Sequence, residues 1–262
     1  QTIYSVYILT LITIYGMIIT LYHLDSERGH FAMRIGGMQK LTLLDYPGKV
    51  ACTVFLAGCN LRCPYCHNPS LVLLEKGNAP EIPVAEALSF LEKRKGKLDG
   101  VCITGGEPTL HKDLPSLLQQ IREMGFSVKL DTNGTDPAML DQLISDDLLD
   151  YVAMDIKNSP SYYVETCGGI DLLMQVKKSA ALLMGGTVDY EFRTTVCAPL
   201  HTLQGMEELG HWLKGAKRYF LQPFVVSGAL VGGGVEPLHE EEIKALRDSV
   251  LPYIPNTQIR GQ

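Results

Sequence analysis

Short apolar runs alternate with amphipathic stretches along most of this chain. Runs rich in Val, Ile, Phe and Tyr occupy residues 50–56, 100–104, 127–131, 151–156, 188–196 and 218–224. Continuous apolar runs of this length are typical of buried strands. Helical periodicity follows each run, over residues 83–95, 113–124, 137–145, 171–184, 203–214 and 238–250. Six strands each followed by a helix predict an α/β fold with a parallel sheet wound by right-handed crossovers.

The N-terminal segment does not fit this pattern. Residues 1–24 contain no Asp, Glu, Lys or Arg, and their length and polarity suit a membrane span. Neither a basic flank nor a small-residue cleavage site follows. We interpret residues 1–32 as upstream sequence translated by mistake, because the chain begins with Gln1, Met33 opens the regular pattern, and residues 27–29 can be encoded by a purine-rich tract resembling a ribosome-binding site. A membrane anchor is the alternative. Residues 33–262 are predicted to form one domain.

Composition narrows the classes of protein that remain. The chain is 46% hydrophobic and 20% charged, which suits a globular domain with a sizeable core. Its formal net charge of -6 does not favour nucleic acid as a partner. An odd number of cysteines, 7 in all, argues against a disulfide framework and for reduced thiols. We therefore expect the protein in the cytosol.

Three of those cysteines lie within eight residues. Cys59, Cys63 and Cys66 have the spacing CxxxCxxC, which is typical of an iron-sulfur loop. Electron-transfer proteins usually hold each iron of a [4Fe-4S] cluster with a thiolate, so three cysteines leave one iron open for chemistry. With His67 the same cysteines would make a Cys3His zinc site, but adjacent ligands fit a tetrahedron poorly, and zinc fingers place the fourth ligand far away.

The second predicted strand ends in Gly105-Gly106-Glu107. Glycines allow a backbone to approach a ligand closely, and a carboxylate accepts hydrogen bonds from an ammonium group. Such a run is also common in simple turns. From the residues alone, a binding role and a simple turn both stay open.

Other strand ends also carry polar side chains. Asp131 and Asn133 end the third predicted strand, Lys157 follows the fourth, Arg193 lies in the fifth and Gln222 ends the sixth. In βα barrels the active site lies at the carboxyl ends of the strands. The alternatives are local: Asp131 suits a helix cap or Asx turn, and the two basic residues suit a solvated rim.

The cysteine spacing, with Tyr65 just before the third cysteine, resembles the signature of the radical S-adenosylmethionine (radical SAM) superfamily. Within it, residues 41–72, LTLLDYPGKVACTVFLAGCNLRCPYCHNPSLV, are similar to the activating proteins of glycyl radical enzymes. The similarity is greatest to activators of anaerobic ribonucleoside-triphosphate reductase, followed by those of pyruvate formate-lyase. No histidine aligns with the one that the latter carry near SAM, where this chain has Gln222.

The resemblance implies a partial (β/α)6 barrel of the radical SAM type, with a [4Fe-4S] cluster and SAM as cofactors. It assigns the cluster to the three cysteines of the loop and gives catalytic roles to Lys157 and Arg193, which with Asp131 would contact SAM and a peptide substrate. The Gly-Gly-Glu run would hold the amino group of SAM. The SAM site as a whole would comprise Tyr65, Gly105, Gly106, Glu107, Asp131, Asn133, Lys157 and Gln222.

The resemblance also implies an oxygen-sensitive activity and a partner. The expected partner is a glycyl radical enzyme, above all anaerobic ribonucleotide reductase, and the expected electron donor is a flavodoxin or ferredoxin. Three alternatives stay open: activation of pyruvate formate-lyase, a small-molecule reaction like that of 7-carboxy-7-deazaguanine synthase, and a non-catalytic iron-sulfur or zinc module. No second CxxC motif follows the loop, so a second cluster is not expected.

Overall fold

One eight-stranded sheet organises the fold. The computed structural model describes residues 33–73, 81–226 and 228–261, so the predicted N-terminal extension lies outside the described residues. The strands are β1 (Ile35–Thr42), β2 (Ala51–Leu56), β3 (Gly100–Gly105), β4 (Ser127–Thr132), β5 (Tyr151–Asp155), β6 (Asp189–Val196), β7 (Tyr219–Pro223) and β8 (Thr257–Ile259). They lie side by side in chain order. β1 runs antiparallel to β2, and every later pair is parallel.

Helices connect the parallel strands on the outside of the sheet. They are α1 (Pro69–Val72), α2 (Val84–Glu92), α3 (Leu114–Glu123), α4 (Pro137–Ser145), α5 (Tyr163–Thr166), α6 (Leu173–Gly185), α7 (Leu203–Trp212) and α8 (Glu240–Val250). All six predicted helices are confirmed, with ends shifted by up to three residues. Among the described residues, no helix combines the length and the apolar character needed to cross a bilayer.

The predicted set of strands was incomplete at both edges. The six predicted strands are β2 to β7, but β1 and β8 extend the sheet beyond them. β1 escaped prediction because it contains two glycines and exposes three consecutive residues, so it has no continuous apolar run. β8 is only three residues long. Within the described part of the chain no ladder joins β1 to β8, so the barrel is partial and open, as expected.

Local sequence explains where several connections turn into helices. The Asp136 carboxylate accepts from the Met139 backbone N–H at 3.0 Å and caps α4, whose first residue is Pro137. The Thr202 hydroxyl caps α7 in the same way. Such caps satisfy backbone donors that the first helical turn leaves free. Each helix then buries its apolar side against the strands in one continuous core, which fixes the strand ends along one edge.

Candidate active site

A cavity of about 200 Å³ lies at the carboxyl ends of the strands. All three cysteines of the loop line it, together with most of the predicted SAM site. The predicted residues in its wall are Cys59, Cys63, Tyr65, Cys66, Gly105, Gly106, Asp131, Asn133 and Lys157. The structure therefore brings residues from four different connections to one place.

The cysteine loop is positioned by backbone contacts with its neighbours. Gly58 N–H donates to the Leu71 carbonyl at 2.7 Å, and Cys66 N–H donates to the Cys63 carbonyl at 3.1 Å. The Arg62 guanidinium donates back to the Cys59 carbonyl at 2.7 Å. These bonds keep the loop compact while its thiols face the cavity.

The three thiols differ in acidity. Burial raises the pKa of Cys59 to about 11 and raises that of Cys66 as well. A hydrogen bond with Cys167 outweighs burial at Cys63, and with help from the Lys157 ammonium it lowers the pKa of Cys63 to about 7. The positive charge of Lys157 also favours the ionised form of the other two thiols. Because thiolates are the ligands of iron, Lys157 makes this loop a better cluster site.

The two glycines at the end of β3, Gly105 and Gly106, are needed for close packing against the cysteine loop. Gly105 has φ +117, and a Cβ there would collide with the Leu56 backbone. A Cβ on Gly106 would collide with the Gly58 carbonyl oxygen. Gly106 N–H donates to the Leu56 carbonyl, and Glu107 N–H donates to the Gly58 carbonyl, each at 2.7 Å. The glycines thus line the cavity and also join β3 to the loop.

Glu107 lies behind the cavity rather than in its wall. Its fully buried carboxylate accepts from the Thr109 N–H and hydroxyl at 3.1 and 2.6 Å. It also accepts from the Thr132 hydroxyl at 2.7 Å and the Asn133 N–H at 2.6 Å. Four protein donors thus contact this carboxylate in the structure, and the contact with SAM expected for Glu107 stays a prediction. The carboxylate fixes the end of β4 against the end of β3.

Asn133 links that strand end to the cysteine loop. Its side-chain amide donates to the Asn60 side-chain oxygen at 3.1 Å and lies 3.9 Å from the Cys59 sulfur. Its oxygen accepts from the Thr135 N–H and hydroxyl at 3.0 and 2.6 Å. With donors and acceptors used in this way, Asn133 orients the loop beside Cys59.

Five charged side chains form an alternating row beneath and beside the cavity. Lys129 pairs with one oxygen of Asp131, and Arg193 Nη1 reaches the other at 3.2 Å. Arg193 Nε then contacts Asp155 at 2.8 Å, and Asp155 contacts Lys157 Nζ at 3.1 Å. Burial alone would raise the pKa of Asp155, but its two cations outweigh it and lower the pKa to about 2. The same competition lowers the pKa of Asp131. Both carboxylates therefore stay ionised.

Two predicted residues lie outside the cavity wall, and others were missed. Arg193 is buried behind the two carboxylates and does not line the cavity. Gln222, near the end of β7, does not line it either. The missed lining residues include Asp155, Thr104, Thr132 and Thr195. Asp155 carried a signal, because an acidic residue at the end of an apolar strand followed by Lys157 suggests a functional strand end.

His67 does not act as a fourth ligand in this structure. Its Nε2 lies 2.7 Å from the Val225 carbonyl oxygen, to which it donates, and its ring stacks on Phe224 at 5.0 Å. Across residues 33–73, 81–226 and 228–261, no three Cys, His, Asp or Glu side chains are grouped to chelate a single metal ion.

Residues 228–236, here called the C-terminal strap, lie against the cysteine loop. Val231 N–H donates to the Cys66 carbonyl and Gly232 N–H to the Pro64 carbonyl, each at 3.1 Å. A Cβ on Gly232 would approach Pro64 Cα to 2.8 Å, so only glycine packs here without a shift. The strap is therefore attached to the cysteine loop at Pro64 and Cys66.

Comparison with known proteins identifies the family. The sequence profile of the Radical SAM superfamily matches residues 53–213, more than half of the chain. The chain belongs to the radical SAM superfamily. Members use a [4Fe-4S] cluster and SAM.

Relatives of this radical SAM protein include one of nearly equal extent. A Methanocaldococcus jannaschii protein with the provisional name glycyl-radical enzyme activating enzyme is 33% identical over 233 residues, covering 86% of this chain and 95% of the relative. The 7-carboxy-7-deazaguanine synthase of Methanospirillum hungatei is 34% identical over 149 residues, 55% of this chain and 58% of that enzyme. The crystal structure of Streptococcus suis SuiB bound to SAM has a TM-score of 0.61 at 18% identity, covering 78% of this chain and 48% of SuiB. That last similarity concerns the fold alone.

The residues of the site fit the cluster of the family. Three thiols line one cavity, and Lys157, which lines it as well, carries a positive charge that favours their ionised forms. Cys167 and Cys197 are fully buried and do not line that cavity. The cavity wall thus offers three thiolates and not four, which is the donor set of a cluster with one open iron.

Proposed function

We propose that this radical SAM protein is an activating enzyme that forms a glycyl radical on anaerobic ribonucleoside-triphosphate reductase. The observation that carries the proposal is the Methanocaldococcus relative, because its 33% identity extends over 95% of its own length. The similarity of residues 41–72 to activators of that reductase supports the finer assignment. A flavodoxin or ferredoxin is proposed as the electron donor, in the cytosol.

The cofactors and the chain have separate tasks in this proposal. When bound, the [4Fe-4S] cluster supplies the electron that cleaves SAM to methionine and a 5′-deoxyadenosyl radical. Cys59, Cys63 and Cys66 hold the cluster. Gly105 and Gly106 line the cavity beside the loop, where the methionine part of SAM would lie. Asp131 and Asp155 point ionised carboxylates at the cavity, where they attract the ammonium and sulfonium charges of SAM.

Lys157 is the one cation in the cavity wall among the described lysines and arginines. Burial would lower its pKa, but Asp155 and the nearby thiols raise it well above its usual value, so it stays protonated. Its ammonium contacts Asp155 at 3.1 Å. We assign it the carboxylate of SAM or a carbonyl of the substrate peptide. Arg193 acts from behind, by holding both aspartates in place.

A glycine-bearing peptide suits the surroundings of the cavity. The open sheet leaves a side through which an extended segment can reach the strand ends. Val225 and Val226 are each 63% exposed beside His67, which offers an apolar surface to such a segment. Glycine lacks a side chain that would keep a radical away from its Cα, and it tolerates the backbone conformations that extraction from a folded partner requires.

A small-molecule substrate is the second candidate. The 34% identity to the Methanospirillum 7-carboxy-7-deazaguanine synthase extends over 149 residues and supports it. That similarity covers 55% of this chain, against 86% for the Methanocaldococcus relative. The more complete match favours the activating enzyme.

Electron paramagnetic resonance distinguishes the candidates. Reconstituted protein, SAM and a reductant are incubated without oxygen with anaerobic ribonucleotide reductase, and a glycyl radical signal is expected. A reductase with its radical glycine changed to Ala is the matched control. A signal on pyruvate formate-lyase alone would move the assignment to that partner. Consumption of a pterin precursor, without a radical on either enzyme, would overturn the proposal in favour of the small-molecule reaction.

A further inference from the structure

Lys157 lies just beyond the end of β5, where the regular pairing of strands stops. The β5–β6 ladder ends at the pair Asp155 and Arg193. Ile156 still contacts β6, because its N–H donates to the Arg193 carbonyl at 2.8 Å and its carbonyl accepts from the Thr194 hydroxyl at 2.7 Å. Lys157 is the next residue, so its backbone needs support from outside the ladder.

A side chain from the connection between β6 and α7 supplies that support. His201 Nε2 donates to the Lys157 carbonyl oxygen, 2.9 Å away. A second bond joins the same two connections, since the Asn158 side-chain amide donates to the Leu200 carbonyl at 2.8 Å. Residues 157–158 are thus attached to residues 200–201, and the bond from His201 is the one that reaches Lys157 itself.

The His201 side chain is itself held in one orientation. It is buried and lies outside the cavity wall. Its backbone N–H donates to the Cys197 carbonyl at 3.1 Å, and the next residue, Thr202, caps α7. Its ring Nδ1 accepts from the Cys197 N–H at 3.1 Å. The turn and the helix cap therefore fix where the side chain begins, and the Cys197 N–H fixes how the ring is rotated.

The protonation state of the ring follows from its partners. A carbonyl oxygen only accepts, so His201 Nε2 carries the proton that it donates to Lys157. The Cys197 N–H only donates, so Nδ1 is an acceptor. A doubly protonated ring would instead donate from Nδ1 to the Cys197 carbonyl, 3.2 Å away, but burial lowers the pKa of His201 and disfavours that charged form. A neutral ring with its proton on Nε2 satisfies both contacts.

We propose that His201 is a positioning residue that fixes the Lys157 backbone and thereby aims the Lys157 ammonium into the cavity. The ion pair with Asp155 holds only the tip of a long, flexible side chain. A fixed Cα keeps that tip within reach of Asp155 and of a ligand at once, whereas a displaced Cα loses one of the two contacts. The inference rests on the ligand role given to Lys157 under the proposed function, and it does not depend on which enzyme is the partner.

The rival explanation is that His201 only fills space in the core, where its ring lies edge-on to Tyr65 with centroids 6.2 Å apart. His111 provides the matched control. It is also buried, and its Nε2 donates to the backbone carbonyl of Ala57 at 3.0 Å. Replacing either histidine removes a buried ring and a donor to a backbone carbonyl. Replacing His201 alone releases the carbonyl of Lys157.

The test compares two amides at position 201. In His201→Gln the amide nitrogen can take the place of Nε2 and reach Lys157, whereas the shorter amide of His201→Asn takes the place of Nδ1 and cannot. Two quantities are measured on reconstituted protein: the Kd of SAM without a reductant, and SAM turnover with a peptide that copies the radical-bearing loop of the reductase. Lys157→Met, which keeps the length of the side chain and removes its charge, shows which quantity depends on the ammonium.

In that quantity we expect His201→Asn to cause a roughly tenfold loss, because a misplaced group forfeits its contact with the ligand. His201→Gln should stay close to the wild type. Adding His201→Asn to Lys157→Met should cause no further loss, since the histidine acts through the lysine. Any loss caused by His111→Asn should instead be the same in the wild type and in Lys157→Met.

Two failures can be told apart. Lys157→Met without effect on either quantity would refute the ligand role of Lys157, and this inference with it. An effect of Lys157→Met to which the loss from His201→Asn simply adds would overturn the inference alone. If His201→Asn does not hold a full cluster, nitrogen NMR of wild-type protein with labelled histidine decides, with His201→Gln assigning the signal. A proton on Nε2 alone supports the contact with Lys157, and a proton on Nδ1 overturns it.

Discussion

At the scale of residues, the alternating row of five charged side chains determines which charges the cavity wall offers to a ligand. Each of the two aspartates is held between two cations, and the row has one more cation than anion. Buried charges are costly unless they are paired and hydrogen-bonded. Here the pairing with Lys129, Arg193 and Lys157 lets two carboxylates remain ionised in the cavity wall.

Asp155 should make stability depend on pH. Its folded pKa of about 2 lies below the ordinary value of 3.8. The stabilisation is therefore complete above about pH 4 and disappears as the pH falls through 2. For the cluster-free protein we expect Asp155→Asn to lower the free energy of unfolding by roughly 2 kcal/mol near neutral pH and by much less near pH 2.

Urea denaturation at several pH values measures this effect. Asp141→Asn, at an exposed position of α4, is the matched control. A gap between wild type and Asp155→Asn that stays constant from neutral pH to pH 2 would contradict the linkage argument.

Much of the cavity wall could be predicted from sequence, because spacing and strand ends mark it. The direction in which each side chain points could not be predicted from the sequence. Glu107 follows two glycines on a turn, and that turn sends its carboxylate into the protein, toward Thr109 and Thr132. Arg193 lies within β6 and not at its end, so register places it behind Asp131 and Asp155. Such outcomes depend on the tertiary fit between neighbouring strands.

At the scale of elements, the turn after α5 shows how a short connection supports a distant loop. Gly168 and Gly169 both have positive φ, at +75 and +84. Only Gly168 lies against the cysteine loop, since a Cβ on Gly169 would meet nothing within 4 Å. Comparing substitutions at these two positions therefore separates the cost of backbone strain from the cost of a steric clash.

Gly168→Ala should be more damaging than Gly169→Ala. Each substitution places Ala in the left-handed region, at a cost of about 1–2 kcal/mol. Gly168→Ala must in addition push the turn away from Arg62, and we expect a further loss of stability and less iron per chain after reconstitution. Chemical denaturation and iron analysis measure the two effects. Equal losses in both variants would show that the close approach does not matter.

The strands and helices were easier to predict from the sequence than the contacts that hold them in place. The apolar-rich segments predicted from the sequence coincide with all six central strands. β1 and β8 form because they can add backbone hydrogen bonds to an existing sheet edge, which is a tertiary cause with little local signal. The α5 turn likewise gave no signal that it would lie beneath the cysteines.

At the scale of the whole molecule, every residue assigned to the site lies in one compact unit, residues 33–262. No predicted site residue precedes Met33. We therefore expect a chain that starts at Met33 to take up the cluster and cleave SAM at the rate of the full chain. Iron content and methionine formation, measured in parallel on both forms, check this. A truncated chain that holds a full cluster but cleaves SAM slowly would show that residues 1–32 contribute to the reaction.

The C-terminal strap is attached to the cysteine loop by two backbone N–H groups, those of Val231 and Gly232. Apart from the close fit of Gly232 to Pro64, this attachment makes no demand on amino-acid identity. Mutations that alter the exposed side chains of the strap would therefore leave these two backbone hydrogen bonds intact. The sequence of this segment can therefore vary while the support that it gives to the cysteine loop is inherited unchanged.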